Sequence, residues 1–142
     1  MRQTLILAII LCTFLSFTKK QNQQSYVYIF RDGQYFGALS NYSIWIDGKK
    51  VCKLSNGKYI QYAIAPGKHE IEAKVGGVGI MKKQTSLEFE TTAGKDNFIA
   101  CTIKTSITRQ RMEMIEVVES AGKKAMKDMK PDNCQENIES DK

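Results

Sequence analysis

The chain has 142 residues, of which 42% are hydrophobic and 25% charged. That balance excludes a disordered polar chain and leaves room for one domain with its own core. The formal net charge is +6, but the lysines scatter in pairs (Lys49-Lys50, Lys82-Lys83, Lys123-Lys124) and arginine is confined to Arg2, Arg31, Arg109 and Arg111. Such a pattern describes a solvated surface and not a nucleic-acid-binding stripe, so no nucleic-acid partner is expected.

The N-terminal segment is a separate object. Arg2 supplies a positive start, Leu5 to Phe17 is almost wholly apolar, and the run stops at Lys19-Lys20-Gln21-Asn22-Gln23-Gln24. A charged start, a short apolar stretch and a polar stop predict a secretory signal peptide over 1–18, with Ser16 and Thr18 placed for cleavage after Thr18. The apolar run is short for a membrane-spanning helix. An uncleaved anchor is the alternative. Cys12 raises a lipidated N-terminus, but Leu11 stands where a small residue normally precedes an acylated cysteine. A polar linker, 19–24, follows.

Turn dipeptides then recur at nearly even spacing: Asp47-Gly48, Asn56-Gly57 and Pro66-Gly67. Asp-Gly and Asn-Gly supply the positive-φ residues of tight hairpins, and Pro-Gly suits a type II turn. Between and around them lie β-branched and aromatic runs: Tyr26 to Phe30, Ser43 to Ile46, Lys50 to Leu54, Tyr59 to Ala65, and His69 to Val75. Gly76-Gly77-Val78-Gly79 is a break without the Gly-Lys-Ser/Thr ending of a phosphate loop. Leu87 to Glu90, Phe98 to Ile103 and Arg111 to Val118 continue the alternation. Short strands at this interval predict an all-β antiparallel sandwich of about seven strands, immunoglobulin-like or transthyretin-like in shape. Ser120 is placed to cap a short C-terminal helix with Ala121, Ala125 and Met129 on one side, ended by Pro131. The β-sandwich domain with this helix spans 25–130, and 131–142 reads as a frayed polar tail.

Several segments carry a recognisable order: Tyr26-Val-Tyr, Ile44-Trp-Ile-Asp-Gly48, Leu54-Ser-Asn-Gly-Lys-Tyr59, Pro66-Gly-Lys-His69, and Thr92-Ala-Gly-Lys95 before the Phe98 strand. Over roughly residues 25 to 130 this resembles the bacterial family of unknown function catalogued as domain of unknown function 2846. The resemblance implies an exported, often lipoprotein-like envelope β-sandwich with no established activity.

Few residues offer chemistry. His69 is the sole histidine, so a nucleophile–histidine system would have to run through it. It sits at a turn entering a strand, with no converging partners marked. Beyond the leader the cysteines are Cys52, Cys101 and Cys134, without Cys-x-x-Cys spacing. Cys52 shares a face with Leu54, and Cys101 with Ile99 and Ile103, so both are expected inside. Either a Cys52–Cys101 disulfide or two buried thiols satisfies that placement. Cys134 is then left over, free or cross-linked to another chain. Met112, Met114, Met126 and Met129 invite a Cu(I) reading, with core packing the plainer one. Trp45, Tyr42, Tyr59 and Tyr62 concentrate aromatic surface in the middle strands. Trp45 opposes Ile44 and Ile46 on its strand, either exposed for stacking or covered by the Tyr35-Phe36 loop or the helix.

These features predict a non-enzymatic exported module, without metal or cofactor, that resides in the periplasm or cell envelope. Its expected partner is an envelope protein or polymer, with membrane contact only through the N-terminus. A carbohydrate- or peptidoglycan-binding accessory domain, using the Trp45, Tyr42, Tyr59 and Tyr62 face, is the alternative.

Overall fold

The computed structural model describes residues 24–35, 38–39, 41–75, 85–105 and 110–134. The expected signal segment with Cys12, most of the 19–24 linker, the Gly76–Gly79 break and residues 135–142 lie outside these residues. The described strands are β1 (Ser25–Arg31), β2 (Tyr42–Ile46), β3 (Lys49–Leu54), β4 (Lys58–Ile64), β5 (Gly67–Val75), β6 (Thr85–Thr91), β7 (Asn97–Thr105), β8 (Gln110–Val117) and β9 (Lys130–Pro131). One helix, α1 (Glu119–Met126), joins β8 to β9.

Two sheets face each other. The first has the order β8-β7-β1-β4-β9 and the second β3-β2-β5-β6. Neighbours run antiparallel except β1 with β7 and β4 with β9, which are parallel. The expected sandwich with a short C-terminal helix is therefore the fold. Among the described residues there are nine strands rather than about seven. The two-residue β9 has no periodic signal, and it pairs only because the chain end lies beside β4 at Lys58 and Tyr59.

Period-two alternation decides which side chains meet between the sheets. Val27 and Ile29 of β1, Ile44 and Ile46 of β2, Ile71 and Ala73 of β5, and Ile99 and Cys101 of β7 form one continuous apolar cluster. Met112 and Met114 join it from β8, across from Ile103 and Cys101. At roughly 25 cal/mol per Å² of apolar surface removed from water, this cluster is the main stabilising term.

The turns divide as their residues allow. Asp47 and Gly48 both take positive φ, at 49° and 75°. This is the pair of left-handed residues that a two-residue hairpin needs to match strand twist. At Asn56-Gly57 only Gly57 is left-handed, with φ 68°. Asn56 uses its side chain instead: its Oδ1 accepts from the Gln34 amide at 3.0 Å, and its Nδ2 donates to the Gln34 carbonyl at 3.1 Å. Gln34 Oε1 accepts in turn from the Ile103 amide, so one end of the sandwich is fastened through this pair.

The C-terminal segment departs from expectation. α1 begins at Glu119 with Val118 in the N-cap position and no side-chain cap bond, so Ser120 is inside the helix and does not cap it. Its buried residue is Gly122, while Ala121 and Ala125 are exposed. Gly122 lies against Phe98, which points to the outside of the first sheet, so close packing here requires a residue without a side chain. Nor do residues 131–134 form a frayed tail. Asp132 donates its amide to the Tyr59 carbonyl at 2.8 Å, and its carboxylate accepts from the Ser55 amide at 2.7 Å.

Candidate functional site

The corner where β2 turns into β3 holds the sole histidine. His69 lies on the inward side of β5, 12% exposed, with its ring tilted on Phe89 at 5.7 Å. Its Nδ1 meets Asp47 Oδ2 at 2.7 Å, and its Nε2 meets the Ala65 carbonyl at 2.8 Å. Both are acceptors, so both bonds form together only when both ring nitrogens carry hydrogen. Asp47 Oδ1 also accepts the Glu70 amide at 3.0 Å, and the Asp47 amide donates back to the Glu70 carbonyl. The Glu70 backbone amide, and after it the His69 hydrogen bond, hold the Asp47 carboxyl below its ordinary range.

A histidine–carboxylate pair of this kind orients a base in nucleophilic enzymes. Here the Nε2 that would take a proton is occupied by Ala65, four residues upstream. The pair clamps a turn. A cleft of about 540 Å³ opens beside it, lined by Asp47, Lys68, His69, Glu70, Glu88 and Glu90 among others.

The four aromatic candidates do not form one face. Tyr42 shares the parity of Ile44 and Ile46 and is 1% exposed in the core, with the Arg31 guanidinium 5.6 Å from its ring centre. Burial pushes its phenol up, with Arg31 opposing. Tyr62 shares the parity of Ile60 and Ile64 and packs against the core from the first sheet. Tyr59 has the opposite parity on that sheet. Only Trp45 of the four reaches the outer face of the second sheet; the helix α1 does not cover it, and Phe36 of the expected covering loop lies outside the described residues. The Lys74 ammonium sits 4.2 Å from its ring centre, and Lys74 is paired with Glu72 at 3.1 Å. An ammonium over an indole is an attractive contact in itself, and it occupies a ring surface on which a sugar would stack.

This outer face is a mixed-charge surface. Cross-strand registry sets Lys50, Trp45, Glu72 and Ser86 in one row, Glu70 beside Glu88 in the next, and Lys68 beside Glu90 in the third. Like charges directly opposite each other, as at Glu70 and Glu88, oppose the pairing of their strands. Among the described residues no helix lies over this face; α1 packs on β7 of the other sheet.

The cysteines pair otherwise than expected. Cys52 is bonded to Cys134, 82 positions further along the sequence, with Cα atoms 4.6 Å apart, and Cys101 is a free buried thiol. The candidate pair Cys52 and Cys101 is therefore corrected. Both do point inside, but the chain end returns past β4 and brings Cys134 to Cys52. Burial pushes the Cys101 thiol up to about 12, with Arg31 opposing, so it is unreactive at neutral pH. Met112 and Met114 fill core positions, whereas Met126 and Met129 lie on the segment beyond β8. The structure does not gather the four thioethers. Among the described residues no group of three or more His, Cys, Asp or Glu side chains is arranged to hold a metal ion.

The family model described as protein of unknown function (DUF2846) matches residues 21–113, well over half of the chain. The chain belongs to that family. The DUF2846 match starts just before β1 and ends within β8, so α1, β9 and Cys134 lie beyond it. It takes in the Asp47–His69 clamp, Trp45 and the whole second sheet. No curated protein matches the chain.

Proposed function

We propose that this DUF2846 protein is an exported, non-catalytic β-sandwich module that binds a protein or polymer of the cell envelope through the outer face of its second sheet. The observation that carries the reading is the Cys52–Cys134 bond. Disulfides of this kind persist in oxidising compartments and are rare where thiols are kept reduced. The charged, apolar and polar succession over residues 1–24 supports the same location. The occupied Nε2 of His69 favours a non-catalytic role, because the sole histidine already serves a turn. The choice of face follows from α1, which packs on the first sheet, whereas among the described residues no helix lies over the Trp45, Glu72, Glu70 and Glu88 rows.

The test is site-specific photo-crosslinking in cells of the source organism. A photoreactive residue at Glu88, on the open face, should yield a discrete adduct with an envelope component. The same residue at Lys124, on the helix side, should not. Equal labelling from both positions, or none from Glu88, would remove the support for this face. Trp45 is the sole tryptophan, so its emission reports on the carbohydrate alternative directly. A shift on adding envelope glycans would favour that alternative over the present reading.

A further inference from the structure

We infer that the C-terminal segment is a redox-gated strap, latched by Cys52–Cys134 and released when a dithiol reduces that bond. The segment leaves β8, crosses the outer side of the first sheet, rounds its β4 edge and ends on a strand of the opposite sheet. α1 has eight residues, no side-chain cap and one buried residue, and a helix this short does not persist in water unless something holds it down. β9 contributes two residues of pairing. Asp132 adds two hydrogen bonds to the β3–β4 turn and β4.

The bond supplies what these contacts lack. With both ends tied, closure is a local event at high effective concentration; with one end tied, the strap must find its place by itself. Cys134 is only partly buried, whereas Cys52 is wholly buried. A thiolate therefore has access to Cys134 Sγ. It forms a mixed disulfide there, and the Cys52 sulfur leaves as a thiolate that takes up a proton. The second thiol of the reductant then attacks the mixed disulfide, leaving as products a cyclic oxidised dithiol and the Cys134 thiol. Two electrons pass to the protein and two protons end on its sulfurs. Cys101 takes no part, since it is buried and protonated.

Release uncovers two things. One is the outward aromatic surface at Phe98, which is 1% exposed and lies against Gly122. The other is the free edge of β4 at Lys58 and Tyr59, a template for strand addition. The sandwich itself keeps its core, because that cluster is built from β1 to β8, and from the strap Cys134 alone packs against it.

Hydrogen exchange on the full chain, before and after dithiothreitol, tests this. Reduction should raise exchange of the Met129 and Asp132 amides, which donate to Met126 and Tyr59, by roughly 100-fold or more. Protection in β1, β2 and β7 should fall only by the common factor that the lower global stability sets, and stay above that of the strap. The Cys134→Ser variant should match the reduced wild type. If that variant does not fold, reduction of the already folded wild type decides alone. An unchanged strap after complete reduction overturns the inference. So does loss of protection in β1 and β7 down to the level of the strap, which would make the bond a staple of the whole fold and not a latch.

Discussion

Gly122→Ala probes how the C-terminal segment is seated. A Cβ at this position would stand 2.4 Å from Phe98 Cδ1, 2.6 Å from Cγ and 2.7 Å from Cβ, against about 3.5–4.0 Å for carbon atoms at rest. Two of those atoms belong to a ring that would normally turn away. That ring is stacked on Tyr28 at 5.0 Å and 8°. The third is attached to the β7 backbone, which lies between β8 and β1, so the helix must lift instead. Overpacking of this sort costs about 1–3 kcal/mol, and the contact to Phe98 Cβ places this site near the upper figure. Alanine returns about 1 kcal/mol of helix propensity, which leaves a net loss of about 2 kcal/mol. Urea unfolding of Gly122→Ala, Phe98→Leu and the double variant measures it. The loss should shrink by at least about 1 kcal/mol in the Phe98→Leu background. A Gly122→Ala protein as stable as wild type, or more so, refutes the seating described.

Three further outcomes follow from particular groups. Removing the Cys52–Cys134 bond with Cys134→Ser frees a loop of 82 residues, and loop-closure entropy sets the loss at about 4.5 kcal/mol by denaturant unfolding, with a larger slope as the unfolded chain expands. The Tyr42 hydroxyl is buried with no hydrogen-bond partner among the described residues, so Tyr42→Phe should be neutral or stabilise by up to about 1 kcal/mol; a loss above about 1 kcal/mol would show that the hydroxyl is bonded. Asp47 has its carboxyl held low in the folded state, so its contribution is present above the ordinary carboxylate range and is lost as pH falls through the lower folded value. Asp47→Asn should therefore flatten the acid limb of a stability–pH curve below about pH 4 and leave the neutral region with a constant offset.

Most of the sandwich is legible in the sequence because its signals are local. The Asp47-Gly48 hairpin is specified by two residues that tolerate positive φ, and alternation places Ile44, Ile71, Ile99 and Met112 inside. The same alternation contains information that a count of aromatics passes over. Tyr42 shares its parity with Ile44 and Ile46, and Tyr62 with Ile60 and Ile64, so both belong in the core and not beside Trp45. The disulfide is a different case. Cys52 and Cys101 both face inward as their neighbours require, yet the pairing depends on where residues 119–134 run. Nothing periodic describes that path; a glycine seated on Phe98, one aspartate and a two-residue strand define it. His69 gave no sign of Asp47, because the two meet only when β5 pairs with β2.

The oxidising location proposed for this DUF2846 protein is tested directly by a peptide map. Protein isolated from the envelope fraction of source cells, with free thiols alkylated under denaturation before any reduction, should yield one linked peptide pair carrying Cys52 and Cys134, with Cys101 alkylated. All three cysteines alkylated, in protein recovered from a reducing compartment, would contradict it.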